Sequence, residues 1–331
     1  MGVSSSKPHP VETKWFPDFE ASLPSLEGKT VAITGTTSGT GYIVARTAAR
    51  KNAENILLLN RPSERAKKAE EDLKKEETKS NIMSIDCDLQ DLDSVKAAAA
   101  TIKGKFDAVD VLCNNAGVMA LEDKATKDGY DVQMQTNHIS HFLLTKELYP
   151  LLQKAKDLRG QARVTNHSSE ARKGKKLEEK YFGKNGGDLG GNGSSMLFGG
   201  ARWVRYQQSK LANTVFTKAL ANKFGDSGLI AAVAHPGLAA TNLQITTAST
   251  GGMGSGMWVM RMSQSQEDGA MPIVAACFDA STANGSFWAP SGMLQFTGPA
   301  KPITWDKTSE DPECINVLWK ASEEACGAFE I

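Results

Sequence analysis

The chain of 331 residues lacks a net charge, because 38 lysines and arginines offset 38 aspartates and glutamates. Without a basic excess it has no electrostatic footprint for nucleic acid. It also lacks the run of about 20 apolar residues that spans a bilayer, and its N-terminus has no secretory apolar segment. These absences argue against a nucleic-acid-binding or integral membrane protein, and they predict a soluble, cytoplasmic one.

Cysteine is scarce, with five residues and no C-x-x-C pair. This pattern predicts free, buried thiols in a reducing compartment and no disulfide framework. His138 and His141 are three residues apart and could face a metal ion, but no third ligand follows at a suitable spacing. We therefore predict no metal site.

What the chain has is a regular alternation of short apolar runs with segments of helical composition. The runs predicted to be buried strands are residues 30–34, 55–59, 82–86, 109–113, 162–166 and 230–234. Residues 64–77 and 95–102 have the composition of helices between them. Repetition of strand and helix in this order predicts a single α/β domain with a parallel, doubly wound sheet.

The first predicted strand ends in a glycine-rich segment, TGTTSGTG, that runs directly into a helical segment. Glycines at these positions would let the backbone approach a pyrophosphate, whose charge the helix N-terminus stabilises. The residues predicted to hold it are Gly35, Thr37, Ser38, Gly39, Thr40 and Gly41. A tight turn without a ligand is the alternative.

The end of the second predicted strand indicates which coenzyme is used. An NAD enzyme carries an acid here for the adenosine ribose, but this chain has Asn60 followed by Arg61. The planar guanidinium of Arg61 suits a 2′-phosphate, which predicts NADP(H). The alternative is an ordinary exposed arginine.

The segment YQQSK, residues 206–210, would place Tyr206 and Lys210 one turn apart on the same face of a helix. A phenol has a pKa near 10, and an adjacent ammonium favours the phenolate. We therefore expect Lys210 to bring the pKa of Tyr206 toward neutrality, unless the tyrosine is only packed near a lysine.

Seven segments occur in an order that resembles the short-chain dehydrogenase/reductase family. They are TGTTSGTG, CDL (87–89), NNAG (114–117), NH (137–138), NHSS (166–169), YQQSK and HPG (235–237). Within the family, TNHISHFLLT, YQQSKLAN and AVAHPG resemble the retinol dehydrogenase and WW-domain oxidoreductase branch. The resemblance implies one Rossmann-type domain with a mostly parallel, seven-stranded sheet flanked by helices.

The resemblance also implies a catalytic set, namely Asn137, Ser169, Tyr206 and Lys210. Tyr206 would supply the proton, while Ser169 would hydrogen-bond the substrate oxygen on which charge develops. Lys210 would also bond the nicotinamide ribose, and Asn137 would hold a water that connects Lys210 to solvent. Ser168 is the alternative serine.

Further cofactor contacts follow from the same resemblance. Asp88 is expected to bond the adenine amino group, Asn114 and the glycine turn after it to line the adenosine ribose, and Thr241 to hold the carboxamide. The full set assigned in this way is Asp88, Leu89, Asn115, Ala116, Gly117, Tyr206, Lys210, Pro236, Gly237 and Thr241. His235 is expected to be structural.

Two segments depart from the common family pattern. The Gly-rich insertion, residues 183–200, is expected to be a mobile loop, either a lid or a passive surface. The predicted substrate loop, residues 238–266, carries methionines and Trp258, which suit a bulky hydrophobic substrate or a short core helix.

We therefore expect NADP(H)-dependent hydride transfer to or from a small hydrophobic carbonyl or alcohol. Retinal-like substrates are implied by the resemblance alone. The alternatives are a large-pigment reductase of the protochlorophyllide type and a non-catalytic NADP-binding regulator. A homodimer is compatible with the sequence.

The N-terminus is expected to be a polar tail, residues 1–27, before the domain of residues 28–331. Its first residues, MGVSSSK, match the pattern for N-myristoylation at Gly2, with a chance match as the alternative. A single acyl chain would give only weak, peripheral membrane contact. The basic cluster, residues 172–176, could add attraction to an anionic leaflet.

Overall fold

The computed structural model describes residues 11–76, 78–195, 199–238 and 263–331. Its strands are β1 (Thr30–Thr34), β2 (Asn55–Asn60), β3 (Asn81–Asp86), β4 (Val111–Asn114), β5 (Ala162–His167), β6 (Leu229–Ala234), β7 (Ser286–Pro290) and β8 (Ala300–Pro302). They form one sheet in the order β3-β2-β1-β4-β5-β6-β7-β8. All neighbours are parallel except β8, which runs antiparallel to β7. The predicted Rossmann-type α/β fold is confirmed, with β8 as an additional edge strand.

Helices cover both faces of this sheet. They are α1 (Phe16–Ser22), α2 (Gly39–Arg50), α3 (Glu64–Lys74), α4 (Leu92–Lys105), α5 (Ser140–Arg159), α6 (Ala201–Phe224), α7 (Gln266–Phe278) and α8 (Pro312–Cys326). A helical turn at Val132–Met134 and a π-helical turn at Gln135–Ile139 lead into α5. In the described part of the chain, none of these helices has both the length and the hydropathy that crossing a bilayer requires.

The central strands are buried on both faces, which explains why they are apolar throughout. In β1, Ala32 belongs to the core formed with α4, α5 and α6, whereas Val31 and Ile33 belong to the core formed with α1, α2 and α7. Successive side chains of a strand point to opposite faces, so both cores draw on the same strand. The strands therefore form a rigid support for the loops at their carboxyl ends.

The N-terminal segment differs from the tail that the sequence predicts. Phe16, Leu23 and Leu26 are buried in the same core as α2 and α7. The carboxylate of Asp268 accepts bonds from the backbone N–H groups of residues 14, 15 and 16 at 2.9, 2.9 and 3.0 Å. A few apolar side chains thus suffice to dock this mostly polar segment, because α7 supplies the acceptor for its first turn. The motif at Gly2 lies outside the described residues.

The Gly-rich insertion is anchored over its described part, contrary to the mobile loop that its composition predicts. Asp123 accepts bonds from the backbone N–H groups of Gly187, Leu189 and Gly191 at 3.0, 2.8 and 2.9 Å. Arg205 donates to the carbonyls of Leu189 and Gly191 at 3.2 and 2.8 Å. Glycine allows these charged groups to approach the backbone closely.

The basic cluster is largely neutralised by acidic partners, contrary to the membrane-facing patch considered from the sequence. Its ion pairs join Arg172 to Asp306, Lys173 to Glu170 and Lys176 to Asp311, at 3.0, 2.7 and 2.7 Å. Peripheral membrane contact through Gly2 stays a prediction.

Candidate active site

The glycine-rich loop between β1 and α2 is packed tightly against the loop that follows β4. Gly35 and Gly39 have φ of +72° and +65°, in the left-handed region that favours glycine. A Cβ on Gly35 would lie 2.8 Å from that of Ala116, and one on Gly41 would collide with the side chain of Asn115. Three of the predicted glycines are thus required by local geometry at the edge where ligands bind in such sheets.

Asn115 joins three elements through its side chain. Its amide nitrogen donates to the carbonyls of Thr34 and Gly35 at 2.9 and 3.2 Å. Its oxygen accepts from Thr40 at 2.8 Å and from His167 at 3.0 Å. The sequence assigned Asn115 to the cofactor, and the structure shows that its side chain braces β1, α2 and β5 around the loop.

The end of β2 places two arginines near the same loop. Asn60 is committed to the loop itself, since it accepts from the backbone N–H of Thr36 at 2.8 Å and donates to its hydroxyl at 2.7 Å. Arg61 follows and is exposed. Arg65, in the first turn of α3, donates to the hydroxyl of Ser38 at 3.3 Å. Sequence reasoning missed Arg65, although its position four residues after Arg61 was a usable signal.

Asp88 and Leu89 follow β3 beside this region. Asp88 is half-buried, and its carboxylate accepts from the backbone of Gln90 at 2.9 Å. Leu89 is buried, and its carbonyl accepts from the Ser140 hydroxyl at 2.7 Å. Both residues shape the turn after β3, and the adenine bond of Asp88 and the cofactor contact of Leu89 stay predictions.

Helix α6 carries Tyr206 and Lys210, which are each only 3% exposed. The ammonium of Lys210 donates to the carbonyl of His167 at 3.0 Å and lies 5.9 Å from the centroid of the Tyr206 ring. The hydroxyl of Ser169 faces the phenol of Tyr206, whose pKa it lowers, and accepts from the backbone N–H of Ala171 at 3.2 Å. Ser168 instead donates to the backbone carbonyl of Lys210 at 2.9 Å. The geometry thus favours Ser169 over Ser168 as the serine that meets Tyr206.

Burial shifts the pKa values of this pair in opposite directions. It raises the pKa of Tyr206 to about 12, against the lowering effect of the bond from Ser169. It lowers the pKa of Lys210 to about 8. The sequence predicted a lowered pKa for Tyr206, and that prediction is wrong for the protein alone because burial disfavours the phenolate. At neutral pH the pair is therefore a neutral phenol beside an ammonium.

Asn137 lies in the π-helical turn and braces the β4 loop against α6. Its oxygen accepts from the backbone of Val118 at 2.8 Å, and its nitrogen donates to Val118 and Ser209 at 2.9 and 2.8 Å. A Cβ on Gly117 would lie 3.1 Å from both Asn137 Oδ1 and Lys210 Nζ. Asn137 thus lies beside the lysine as predicted, and its role with water stays a prediction.

The two histidines of this region have separate protein partners. His141 donates from Nδ1 to the Asn137 carbonyl at 2.9 Å, and its Nε2 lies 2.9 Å from the Thr34 hydroxyl. His138 Nε2 lies 2.8 Å from the hydroxyl of Ser322. Burial lowers the pKa of His138 to about 3 and that of His141 to about 4. In the described ranges, no group of three or more histidine, cysteine or acidic side chains could hold a metal ion.

His235 connects the loop after β6 with the serine loop. Its Nε2 donates to Gln295 at 2.9 Å and to Glu170, the residue after Ser169, at 3.1 Å. Its Nδ1 accepts from the backbone of Gly237 at 3.3 Å. Gly237 has φ of +64°, and Pro236 accepts a bond from Gln264 at 3.1 Å. These bonds fix the start of the loop after β6, and the nicotinamide contacts predicted for this loop stay a prediction.

An apolar cluster covers one side of the tyrosine. Trp203, Met119 and Ala120 are buried and pack with Tyr206, and Ala171 packs against them. Thr241 and most of the predicted substrate loop lie outside the described residues. The described apolar wall is thus formed by α6 and by the loops after β4 and β5.

Known proteins share this combination of fold and motifs. Residues 29–181 match the family model for short chain dehydrogenase. A short-chain dehydrogenase/reductase of Armillaria gallica is 33% identical over 97% of both chains. Retinol dehydrogenase 13 of Homo sapiens is 30% identical over 92% of this chain and 87% of its own length. The crystal structure of an uncharacterised protein from Mycobacterium paratuberculosis superposes with a TM-score of 0.71, at 30% identity, over 94% of this chain and 98% of that one. The chain therefore belongs to the short-chain dehydrogenase/reductase family, and within it resembles the retinol dehydrogenase branch.

Proposed function

We propose that this protein is an NADP(H)-dependent oxidoreductase that interconverts a hydrophobic carbonyl compound and its alcohol. Tyr206 is the proton donor for reduction and the proton acceptor for oxidation. The observation that carries this proposal is the buried phenol of Tyr206, which Ser169 faces and which has Lys210 one turn away, at the carboxyl edge of the sheet.

The residues around the glycine-rich loop fit a dinucleotide. Among the described residues, the Ser38 hydroxyl makes no cap bond to α2, so the first-turn N–H groups of α2 remain available to a pyrophosphate. Arg65 bonds Ser38 of the loop, and the exposed Arg61 directly follows Asn60, which bonds Thr36. Two arginines in this region favour a coenzyme with a 2′-phosphate. Bound NADP(H) would supply or accept the hydride.

The catalytic residues donate the proton and stabilise the charge that develops on the carbonyl oxygen. Ser169 and Tyr206 both donate hydrogen bonds to the carbonyl oxygen, which becomes negative as the hydride arrives. The raised pKa keeps Tyr206 protonated until the transfer. The ammonium of Lys210, held by the His167 carbonyl, stabilises the phenolate that remains.

The substrate is a carbonyl or alcohol with an apolar body. Met119 and Trp203 present apolar surface directly beside the reacting phenol, where a polar substrate would lose hydration without gaining hydrogen bonds. Similarity to retinol dehydrogenase 13 favours a retinal-like aldehyde within this class.

A coenzyme assay with the Tyr206→Phe variant tests the proposal. NADPH oxidation is followed in the dark with a panel of apolar aldehydes and ketones, for the wild type and the variant. Removal of the proton donor should lower kcat at least about a hundredfold, whereas the Kd for NADPH should change less than about twofold. Tyr149→Phe, on α5 and outside the site, is the matched control.

Three outcomes contradict the proposal. If Tyr206→Phe kept more than about a tenth of the wild-type activity, the phenol of Tyr206 would not be the proton donor. Binding of NADPH without turnover of any carbonyl would favour a regulator. Activity that needs light would favour a pigment reductase.

A further inference from the structure

Trp203 stands one helical turn before Tyr206 and shares its face of α6. The two rings meet edge to face, with centroids 5.9 Å apart and planes at 82°. Trp203 is 9% exposed and belongs, with Met119, to the apolar cluster around the tyrosine. A carbonyl that reaches Tyr206 therefore has this indole among its nearest neighbours.

The Gly-rich insertion holds the indole in place. The Trp203 ring nitrogen donates to the carbonyl of Ser194 at 3.1 Å. One residue earlier on α6, Arg202 donates from Nε to the carbonyl of Asn192 at 3.2 Å. The insertion thus contacts the first turn of α6 at two adjacent points, and the ring is fixed by a hydrogen bond on one side and by Tyr206 on the other.

Buried charged side chains fix the position of the Gly-rich insertion. Arg205 is 1% exposed and forms ion pairs with Asp123 at 3.4 Å and Asp131 at 3.2 Å. Besides its two bonds to the insertion, it donates to the carbonyl of Leu121 at 3.2 Å. Buried charges are retained only with such partners, since an unpaired one is strongly destabilising. Arg205 immediately precedes Tyr206, so the residue that holds the insertion and the proposed proton donor lie in one helical turn.

We infer that the described part of the Gly-rich insertion, residues 183–195, is a fixed wall of the substrate site and that Trp203 is the specificity-determining residue of this wall. A methionine or leucine can adapt to the shape of a bound group, whereas an indole held at two points is a rigid flat wall. A flat group lies closer against such a wall than a puckered ring of the same carbon count. This inference rests on the proposed function, because it concerns selection at the same phenol.

A matched pair of aldehydes measures this selection. In 3-phenylpropanal and 3-cyclohexylpropanal the ring is separated from the carbonyl, so their intrinsic reactivities are alike and only the thickness of the ring differs. The wild type should show the higher kcat/KM for the phenyl compound. Trp203→Leu should lower that ratio by about tenfold, which is the scale of discrimination that a pocket wall provides.

Two further variants distinguish the contribution of the indole to the selectivity from that of the Gly-rich insertion. Trp203→Phe keeps an aromatic ring but loses the bond to Ser194, and Asp123→Asn loosens the insertion without changing the ring. Both should lower the ratio in the same direction as Trp203→Leu, by less. Trp305→Phe removes an indole bond to the carbonyl of Gly285 outside the site, 2.8 Å long, and should leave the ratio unchanged.

Thermal unfolding and the Kd for NADPH show whether each variant is folded. If Trp203→Leu does not fold, the two milder variants decide the question. An unchanged ratio in Trp203→Phe and Asp123→Asn, with turnover that still depends on Tyr206, would show that the insertion is a passive surface. Absence of turnover in the wild type with both aldehydes would instead contradict the proposed function.

Discussion

At the residue scale, burial determines the protonation of the two central side chains. Tyr206 and Lys210 lie almost fully inside the protein, where each loses hydration in its charged form. The phenol therefore keeps its proton at neutral pH, and the lysine comes close to losing one. Tyr206 can donate its proton readily only while Lys210 is charged, because the ammonium stabilises the phenolate that remains.

The pH dependence of carbonyl reduction follows from this pair. With saturating NADPH, kcat/KM should be constant at low pH and should fall as pH rises through about 8, where Lys210 becomes neutral. A neutral amine no longer stabilises the phenolate, so the loss should approach tenfold per unit of pH. A pH–rate profile measures this. A flat profile between about pH 6 and pH 10 would contradict the assignment of Lys210.

The proposed preference for NADPH rests on two exposed arginines, Arg61 and Arg65. Arg61→Ala should raise the KM for NADPH by about ten- to a hundredfold, since a charge-assisted bond contributes about 1.5 to 3 kcal/mol, and should hardly change that for NADH. Arg65→Ala should act in the same direction. Lys67→Ala, on the exposed face of α3, is the control. Equal losses for both coenzymes would show that neither arginine recognises the 2′-phosphate.

Several residue roles could not be predicted from the sequence. Ser168 and Ser169 are adjacent and of one type, so the sequence chose Ser169 only through the family resemblance, and the direction of each side chain at the end of β5 supplies the physical reason. The pKa of Tyr206 depends on burial, which the spacing of Tyr206 and Lys210 does not report. Asn115 and Asn137 are placed as predicted, but their side chains bond the backbone of neighbouring elements.

At the element scale, the strands that are buried on both faces were predictable. Six apolar runs became β1 to β6 with shifts of one or two residues. Strand β7 is the apolar run SFWAP with four buried residues, a usable signal that the strand prediction did not include. Strand β8 has three residues with a polar centre and no apolar pattern. Helix α1 was missed because its stability comes from α7, which lies far away in the chain.

Docking of α1 gives a stability prediction. Phe16→Ala should lower the free energy of unfolding by about 3 to 5 kcal/mol, because it leaves a cavity between α1, α2 and α7. Phe19→Ala, at a partly buried ring of the same helix, should cost less. Chemical denaturation of both variants measures the difference. A loss below about 1 kcal/mol for Phe16→Ala would show that the segment behaves as a tail after all.

At the scale of the whole molecule, the site is assembled from distant parts of the chain. The loops after β1, β4, β5 and β6 meet at one edge of the sheet because parallel strands end there together. Asn115 ties the first three of these elements together, and His235 ties the last two. Each of these motifs marks the end of one strand, so the sequence predicts that they meet at this edge, while their catalytic and cofactor roles stay predictions.

The fate of a labelled hydride shows whether the protein reduces a carbonyl with Tyr206 as proton donor. NADPH carrying deuterium in place of the hydride that is transferred is supplied with 3-phenylpropanal, and the alcohol product is analysed by mass spectrometry and NMR. We predict one deuterium on the carbinol carbon with the wild type, and no labelled alcohol above background in the same time with Tyr206→Phe, which still binds NADPH. Unlabelled alcohol from the wild type, or equal labelling by both proteins, would contradict this prediction.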